Sequence, residues 1–182
     1  LSNGGGSYSD GSVAGVGVMA NANFGNGPVA FAFSNAIDIT IEGGPQVNAN
    51  HSDNLVMLTG GNLTLNRGYQ NAGDGDIVLV AGWDGVGAFS GGSASHVVGS
   101  APVLVGPDVD FDSLGAVGEN GGTLTVGSAA QTDAVRIGSR AGRNGFGGHG
   151  IVLTAGTTGA FASQLGFYGG STAITGGIDL RV

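Results

Sequence analysis

Gly61-Asn62-Leu63-Thr64-Leu65 and Gly122-Thr123-Leu124-Thr125-Val126 are near copies of one another, and each is followed downstream by a second shared piece. In the first copy that piece is Ile77-Val78-Leu79-Val80-Ala81-Gly82-Trp83-Asp84-Gly85. In the second it is Ile151-Val152-Leu153-Thr154-Ala155-Gly156-Thr157-Thr158-Gly159, identical at six of nine positions. Self-similarity of strand-length pieces constrains the fold more than any single motif, because a strand that buries one face needs copies of itself stacked above and below. The spacing differs between the copies. Val135 to Ile137 and the glycine-rich stretch from Arg140 to Gly150 look like additions in the second copy, as when turns of a degenerate solenoid take up insertions.

Other apolar runs have the same length: Val13 to Val18, Val29 to Phe33, Ile37 to Ile41, Leu55 to Leu58, Val97 to Val98, Val103 to Val105 and Ile174 to Leu180. Several alternate with period 2, as in Ile37-Asp38-Ile39-Thr40-Ile41 and Val135-Arg136-Ile137, which gives each strand an apolar and a polar face. No sustained 3.6 period is present. Phe161 to Phe167 is the best helical stretch, and it predicts one turn at most. Between the runs lie clusters of Gly, Asn, Asp and Ser, and 40 of the 182 residues are glycine. Such residues suit sharp corners, and interior glycine argues against a helical bundle. The expected fold is all-β: a right-handed parallel β-helix, or β-solenoid, over 1–182 as one domain, with 1–35 a less regular Gly/Asn-rich part. At roughly 20 residues per rung, about eight or nine rungs would make a rod of about 40 Å. The alternative is an antiparallel β-sandwich or jelly roll, which also spaces short strands between turn signals.

Composition removes several classes. Charged residues are only 10% of the chain, with no lysine, and 41% is apolar with a mean hydropathy of +0.23, so the signature of disorder is missing. Glycine does not recur at every third position and there are four prolines, which excludes collagen. No apolar run approaches the roughly 18 residues of a membrane helix, so no membrane insertion is expected. The net charge of −8 has the wrong sign for gripping a phosphate backbone, which removes nucleic acid as a partner. With no cysteine there is neither a disulfide framework nor a thiolate site. The chain starts at Leu1 without a signal-peptide pattern, as expected of a processed chain or a piece of a larger product.

Gly61-Asn62-Leu63-Thr64-Leu65-Asn66, followed by Gly73-Asp74-Gly75-Asp76-Ile77-Val78-Leu79-Val80-Ala81-Gly82, resembles the body repeats of filamentous-haemagglutinin-type exoproteins and autotransporter passengers. The pattern covers roughly residues 36 to 160 and is closest over 61–85 and 122–159. The resemblance implies a β-helical shaft of a secreted adhesin, located outside the cell or at its surface. The Asn-Pro-Asn-type sequences of that family's secretion domain are absent, so the similarity is to shaft and not to signal.

Candidate chemistry is sparse. Asp108, Asp110, Asp112 and Glu119 stand at positions 1, 3, 5 and 12 of a loop, the ligand spacing of an EF-hand, which makes calcium the one cofactor to consider. Ser113 occupies the usual glycine position, Gly115 the usual apolar one, and the flanks are not helical, so an acidic surface loop is the competing reading. Trp83 beside Asp84 in a turn offers either a sugar-stacking platform with a carboxylate acceptor or a cap on the core. Asp74 and Asp76 read as turn residues. Gly148-His149-Gly150 resembles a motif of β-helical polygalacturonases, but that family's aspartate segments are missing, and His51, His96 and His149 lack metal-site spacing. No Gly-x-Ser-x-Gly elbow is present. Gly82 to Gly87 follows a strand without opening a helix, against a dinucleotide loop. These observations favour a non-enzymatic extracellular structural or adhesive solenoid whose surface meets a glycan or protein receptor. A self-assembling filament or sheath subunit, joined end to end by strand addition, is the first alternative. A polysaccharide-active enzyme is the second.

Overall fold

A computed structural model describes residues 9–11, 16–19, 29–33, 38–41, 43–50, 52, 54–85, 89–90, 108–109, 111–115, 117–157, 162–168 and 175–182. The strands are β1 (Ser9–Gly11), β2 (Val16–Met19), β3 (Val29–Phe33), β4 (Asp38–Ile41), β5 (Val47–Ala49), β6 (Leu55–Thr59), β7 (Leu63–Leu65), β8 (Tyr69–Asn71) and β9 (Ile77–Ala81). They continue with β10 (Phe89–Ser90), β11 (Asp108–Val109), β12 (Thr123–Val126), β13 (Val135–Ser139), β14 (Asn144–Gly147), β15 (Gly150–Leu153), β16 (Ser163–Leu165) and β17 (Ile178–Arg181).

These form three long sheets. The first runs β1-β2-β4-β7-β12-β15, the second β5-β8-β13-β16 and the third β3-β6-β9-β14-β17. Every pairing within them is parallel except that of β1 with β2. The chain visits the sheets in fixed order, so β4-β5-β6, β7-β8-β9, β12-β13-β14 and β15-β16-β17 are successive rungs of a coil. This is a parallel β-helix, and the sandwich alternative falls because its strands would pair antiparallel. Six strands in the first sheet at about 4.8 Å give that sheet a height of roughly 24 Å. The expected eight or nine rungs become four complete ones among the described residues: the first repeats are close to the assumed length, 24 positions from Ile39 to Leu63 and 22 from Leu55 to Ile77, but Leu63 to Leu124 takes 61, Leu124 to Ile151 27 and Asn144 to Ile178 34.

Alternation selects what faces the coil's interior. Ile39, Ile41, Leu63, Leu65, Leu124 and Val126 from the first sheet meet Tyr69, Val135 and Ile137 from the second and Leu55, Met57, Ile77, Leu79 and Phe146 from the third. Each fully buried aliphatic side chain of this column contributes roughly 1.5–3 kcal/mol relative to exposure. Corners are closed by buried amides. Asn144 Oδ1 accepts from Ser139 N at 2.6 Å, and its Nδ2 donates to Ser139 O at 2.9 Å and Gly142 O at 3.2 Å. One rung earlier, Asn71 accepts from Gly73 N and donates to Gly75 O.

The register divides the internal repeat. Leu63, Thr64 and Leu65 lie directly against Leu124, Thr125 and Val126, so that half of the repeat is structural. The second half is not: Ile77 pairs with Asn144 in the third sheet, whereas Ile151 pairs with Leu124 in the first. Val135–Ser139 and Asn144–Gly147 are accordingly regular strands of the third rung and not additions. The real insertion is the stretch between Ala81 and Thr123, which carries the antiparallel pair β10-β11 and a 3-10 turn at Phe111–Ser113. That turn is the single helical element among the described residues, and Ser163–Leu165, within the stretch expected to be most helical, is strand. Val97–Val98 and Val103–Val105 lie outside the described residues.

Candidate functional site

With the interior filled, function falls to the outward positions, and the three sheets treat theirs differently. In the third sheet the register stacks Val56, Val78, Gly145 and Asp179 in one outward column and Leu58, Val80, Gly147 and Arg181 in the next. The upper rungs are apolar on both faces, and Val56, Leu58, Val78 and Val80 form a second cluster outside the coil with Trp83, Phe111 and Leu114 of the insertion. Phe111 needs the third rung's glycine: a Cβ on Gly145 would lie 2.8 Å from its ring. The fourth rung supplies charge. Arg143 holds Asp112 with both terminal nitrogens, at 3.1 and 2.9 Å, and reaches Asp179 at 3.0 Å. Arg181 bonds Asp112 Oδ1 at 2.6 Å and stacks on the Phe111 ring at 4.3 Å, with Arg143 at 5.4 Å from the same ring. The hydrogen bond from Arg143, aided by the charges of Arg143 and Arg181, holds the Asp112 carboxyl below its usual range. The same bond raises Arg143.

The acid loop is thus divided. Asp112 is committed to two guanidiniums, Glu119 sits exposed in a turn, Asp108 opens β11, and Asp110 lies outside the described residues. No group of three or more metal-ligating side chains occurs among the described residues. Trp83 is fully buried in the second cluster, so its indole offers no open face to a sugar; Asp84 next to it is half-buried. Of the two roles the sequence left open, the tryptophan takes the core one. His149 is exposed in the turn before β15, its N–H bonded to Gly122 O at 2.7 Å, while His51 and His96 lie outside the described residues. Asp76 is a corner residue: its Oδ1 accepts from Arg143 N at 2.7 Å, and its own N–H donates to Asn54 Oδ1 at 2.7 Å.

The first sheet turns partly exposed polar side chains outward. Thr40, Thr64 and Thr125 form a column in register, with Val152 exposed beneath them. Beside it Asn62 ties three rungs together, donating from its N–H and Nδ2 to Asp38 Oδ1 at 2.7 and 2.9 Å and accepting at Oδ1 from Thr123 N at 2.9 Å. A groove of about 410 Å³ flanks this face at the corner toward the second sheet, with Asn66, Ala130, Gln131, Thr132 and Asp133 in its lining. Sequence alternation marked the threonines as outward-facing, and the register stacks them in one column.

Neither a family model, nor a curated protein, nor a solved structure matches the chain. What fold and surface define is a class: a parallel β-helix whose first sheet turns a threonine column outward and whose third sheet, among the described residues, carries a further layer of the chain's own.

Proposed function

We propose that this chain is a non-enzymatic structural and adhesive β-solenoid, a shaft or surface module of a bacterial exoprotein that works outside the cell or at its surface. The observation that carries the reading is the continuous Thr40–Thr64–Thr125 column beside the Asp38–Asn62–Thr123 ladder. It is a flat array of hydroxyl and amide groups with low charge, held at the strand spacing, and suited to hydrogen-bonding a glycan or a protein edge. The sequence resemblance to haemagglutinin-type shafts points the same way. The test is display of the purified chain on beads against a glycan array and against cell surfaces. Retention that falls when Thr64 and Thr125 are both changed to Val supports the reading, and beads that bind nothing refute it.

A second reading is favoured by the last rung. Ile151, Leu153, Leu165, Ile178 and Leu180 continue the inward columns, yet Leu153, Ile178 and Leu180 are 50%, 47% and 54% exposed, where Val126 and Phe146 one rung earlier are fully buried. Among the described residues three parallel strand edges and an apolar cross-section therefore face outward, and strand addition, by a second copy or by further rungs of a longer chain, would cover both. Concentration-dependent association measured by light scattering, abolished by Leu180→Lys, supports self-assembly. A monomer at every concentration removes it.

A further inference from the structure

The second sheet carries a feature that neither the ladder nor the open end uses. After β16 the chain turns at Gly166, with φ of +101°, and folds back over the outer face of that sheet. Gln70, 2% exposed, fastens the return. Its Nε2 donates to Gly166 O at 3.2 Å and its Oε1 accepts from Tyr168 N. Gly138 makes room, since a Cβ there would fall inside the backbone of Gly166 and Phe167. The result is a tyrosine fixed through its backbone whose side chain stays outside: Tyr168 is 60% exposed although one ring face is covered by the Arg136 guanidinium, 4.3 Å from the centroid. The other face is open. Arg136 forms no ion pair or hydrogen bond among the described residues, in contrast to Arg143 and Arg181. Gln164 lies next to it in register, and the side chain of Gln46 approaches from the other side across Gly68.

From this geometry we infer that Tyr168 and Arg136 form a binding site for an acidic oligosaccharide, a chain of sugars carrying carboxylates. A rigid aromatic face with one side free takes the apolar face of a sugar ring at low entropic cost. A guanidinium with no ion pair or hydrogen bond among the described residues takes a carboxylate through paired hydrogen bonds, and neighbouring amides take hydroxyls. The guanidinium and the free ring face lie on opposite sides of the tyrosine, so a sugar stacked on that face sits roughly 9 Å from the guanidinium. One small carboxylated sugar cannot span that distance; two or more linked units can. The net charge of −8 repels a polyanion at long range, and at physiological salt, where the screening length is about 8 Å, the local contact decides. The inference rests on the adhesive reading and gives it a ligand class and a location away from the threonine face.

The probe is trigalacturonic acid, with its fully methyl-esterified form as the neutral counterpart, titrated into the intact chain by calorimetry and followed at the Tyr168 ring and Arg136 Nε by NMR. The expected result is saturable binding of the acid with shifts at both groups, and binding of the ester weaker by roughly tenfold or more. Arg136→Gln should bring the acid down to the level of the ester, Tyr168→Ala should abolish both, and Tyr168→Phe should keep both. Circular dichroism checks that each variant retains its strands. Absence of saturation up to about 1 mM, equal binding of acid and ester, or acid binding unchanged in Arg136→Gln overturns the inference. Threonine-dependent retention on the array alongside that negative result would sink this site alone and leave the adhesive reading standing.

Discussion

Replacing Phe111 with alanine tests whether the insertion is a separately docked unit on the third sheet. The ring is fully buried, seated on the bare backbone of Gly145 and capped by Arg181 at 4.3 Å and Arg143 at 5.4 Å. Large-to-small changes at buried phenylalanines cost about 3–5 kcal/mol. Whole domains hold together by only about 5–15 kcal/mol, and a local unit by less. The loss at Phe111 is therefore of the size of the docking energy itself, and it falls on the outer cluster while the inner column of Leu63, Leu65, Leu79 and Leu124 is untouched.

Trp83 is the reporter, because it is the single tryptophan and belongs to the outer cluster. In Phe111→Ala its emission should shift to the red and become accessible to acrylamide without denaturant, while the strand signal in circular dichroism persists. In urea the parent chain should lose Trp83 burial before or together with strand structure, whereas in the variant the strand transition should remain with little tryptophan change accompanying it. Phe111→Leu should restore most of the burial. If tryptophan burial and strand signal shift in step, with one common midpoint in every variant, the insertion is not an independent layer and the reasoning fails.

Acid should act through Asp112. Its carboxyl titrates below an ordinary aspartate's value near 3.9, so the contribution of the clasp is fully present above that value and is lost as pH falls through the lower folded one. Trp83 emission should be flat from neutral pH to about pH 5 and redden below about pH 4, and Asp112→Asn should flatten that step. Because Asp112 is 65% exposed, the effect should shrink in high salt. Gly138→Val should undock the Gly166–Tyr168 return without unfolding the coil, read as loss of the Tyr168 ring shift caused by Arg136, since the new side chain would enter the backbone of Gly166 and Phe167. Calcium at millimolar levels should leave the melting temperature unchanged, because it would have to displace two guanidiniums from Asp112. A calcium-dependent rise that vanishes in Asp108→Ala/Asp112→Ala would restore the calcium loop.

Where a strand is a continuous apolar run or obeys the two-residue period the sequence was legible. Val29–Phe33, Leu55–Thr59, Leu63–Leu65 and Thr123–Val126 are strands at, or within a residue of, the expected runs. The strands that escaped are those whose pairing is decided by neighbours. Tyr69-Gln70-Asn71 has no aliphatic residue, and its place is set by Val47–Ala49 on one side and Ile137–Ser139 on the other. Asn144-Gly145-Phe146-Gly147 reads as a turn because its outward positions are glycines, which are explained only once Phe111 and Val117 lie on them. The false equivalence of Ile77 and Ile151 has the same origin. One is buried on both faces by the insertion and the other belongs to the last rung, so similar residues answer to different surroundings. The partners of Asp112 were hidden for a related reason: Arg143 and Arg181 are 31 and 69 positions away and converge only through the coil.

The outward columns give the coil its individuality. Inward positions change little from rung to rung, as Ile39, Leu63, Leu124 and Ile151 show. The outward ones run Val56, Val78, Gly145, Asp179 on the third sheet, Asn48, Gln70, Gly138 on the second and Thr40, Thr64, Thr125, Val152 on the first. Chain from elsewhere comes to rest on apolar outward positions, as with Trp83 and Leu114 on the Val56, Leu58, Val78 and Val80 rows, and on glycines, as with Phe111 on Gly145 and the Gly166 turn on Gly138; the first sheet has threonines at these positions. Stacking accounts for the shaft, and the residue at an outward position helps decide whether a rung carries a further layer. On that logic, changing the outward glycines should strip layers without breaking the coil, whereas changing an inward residue such as Leu124 to Ala, at a cost of about 2–5 kcal/mol, should lower the stability of all three sheets together.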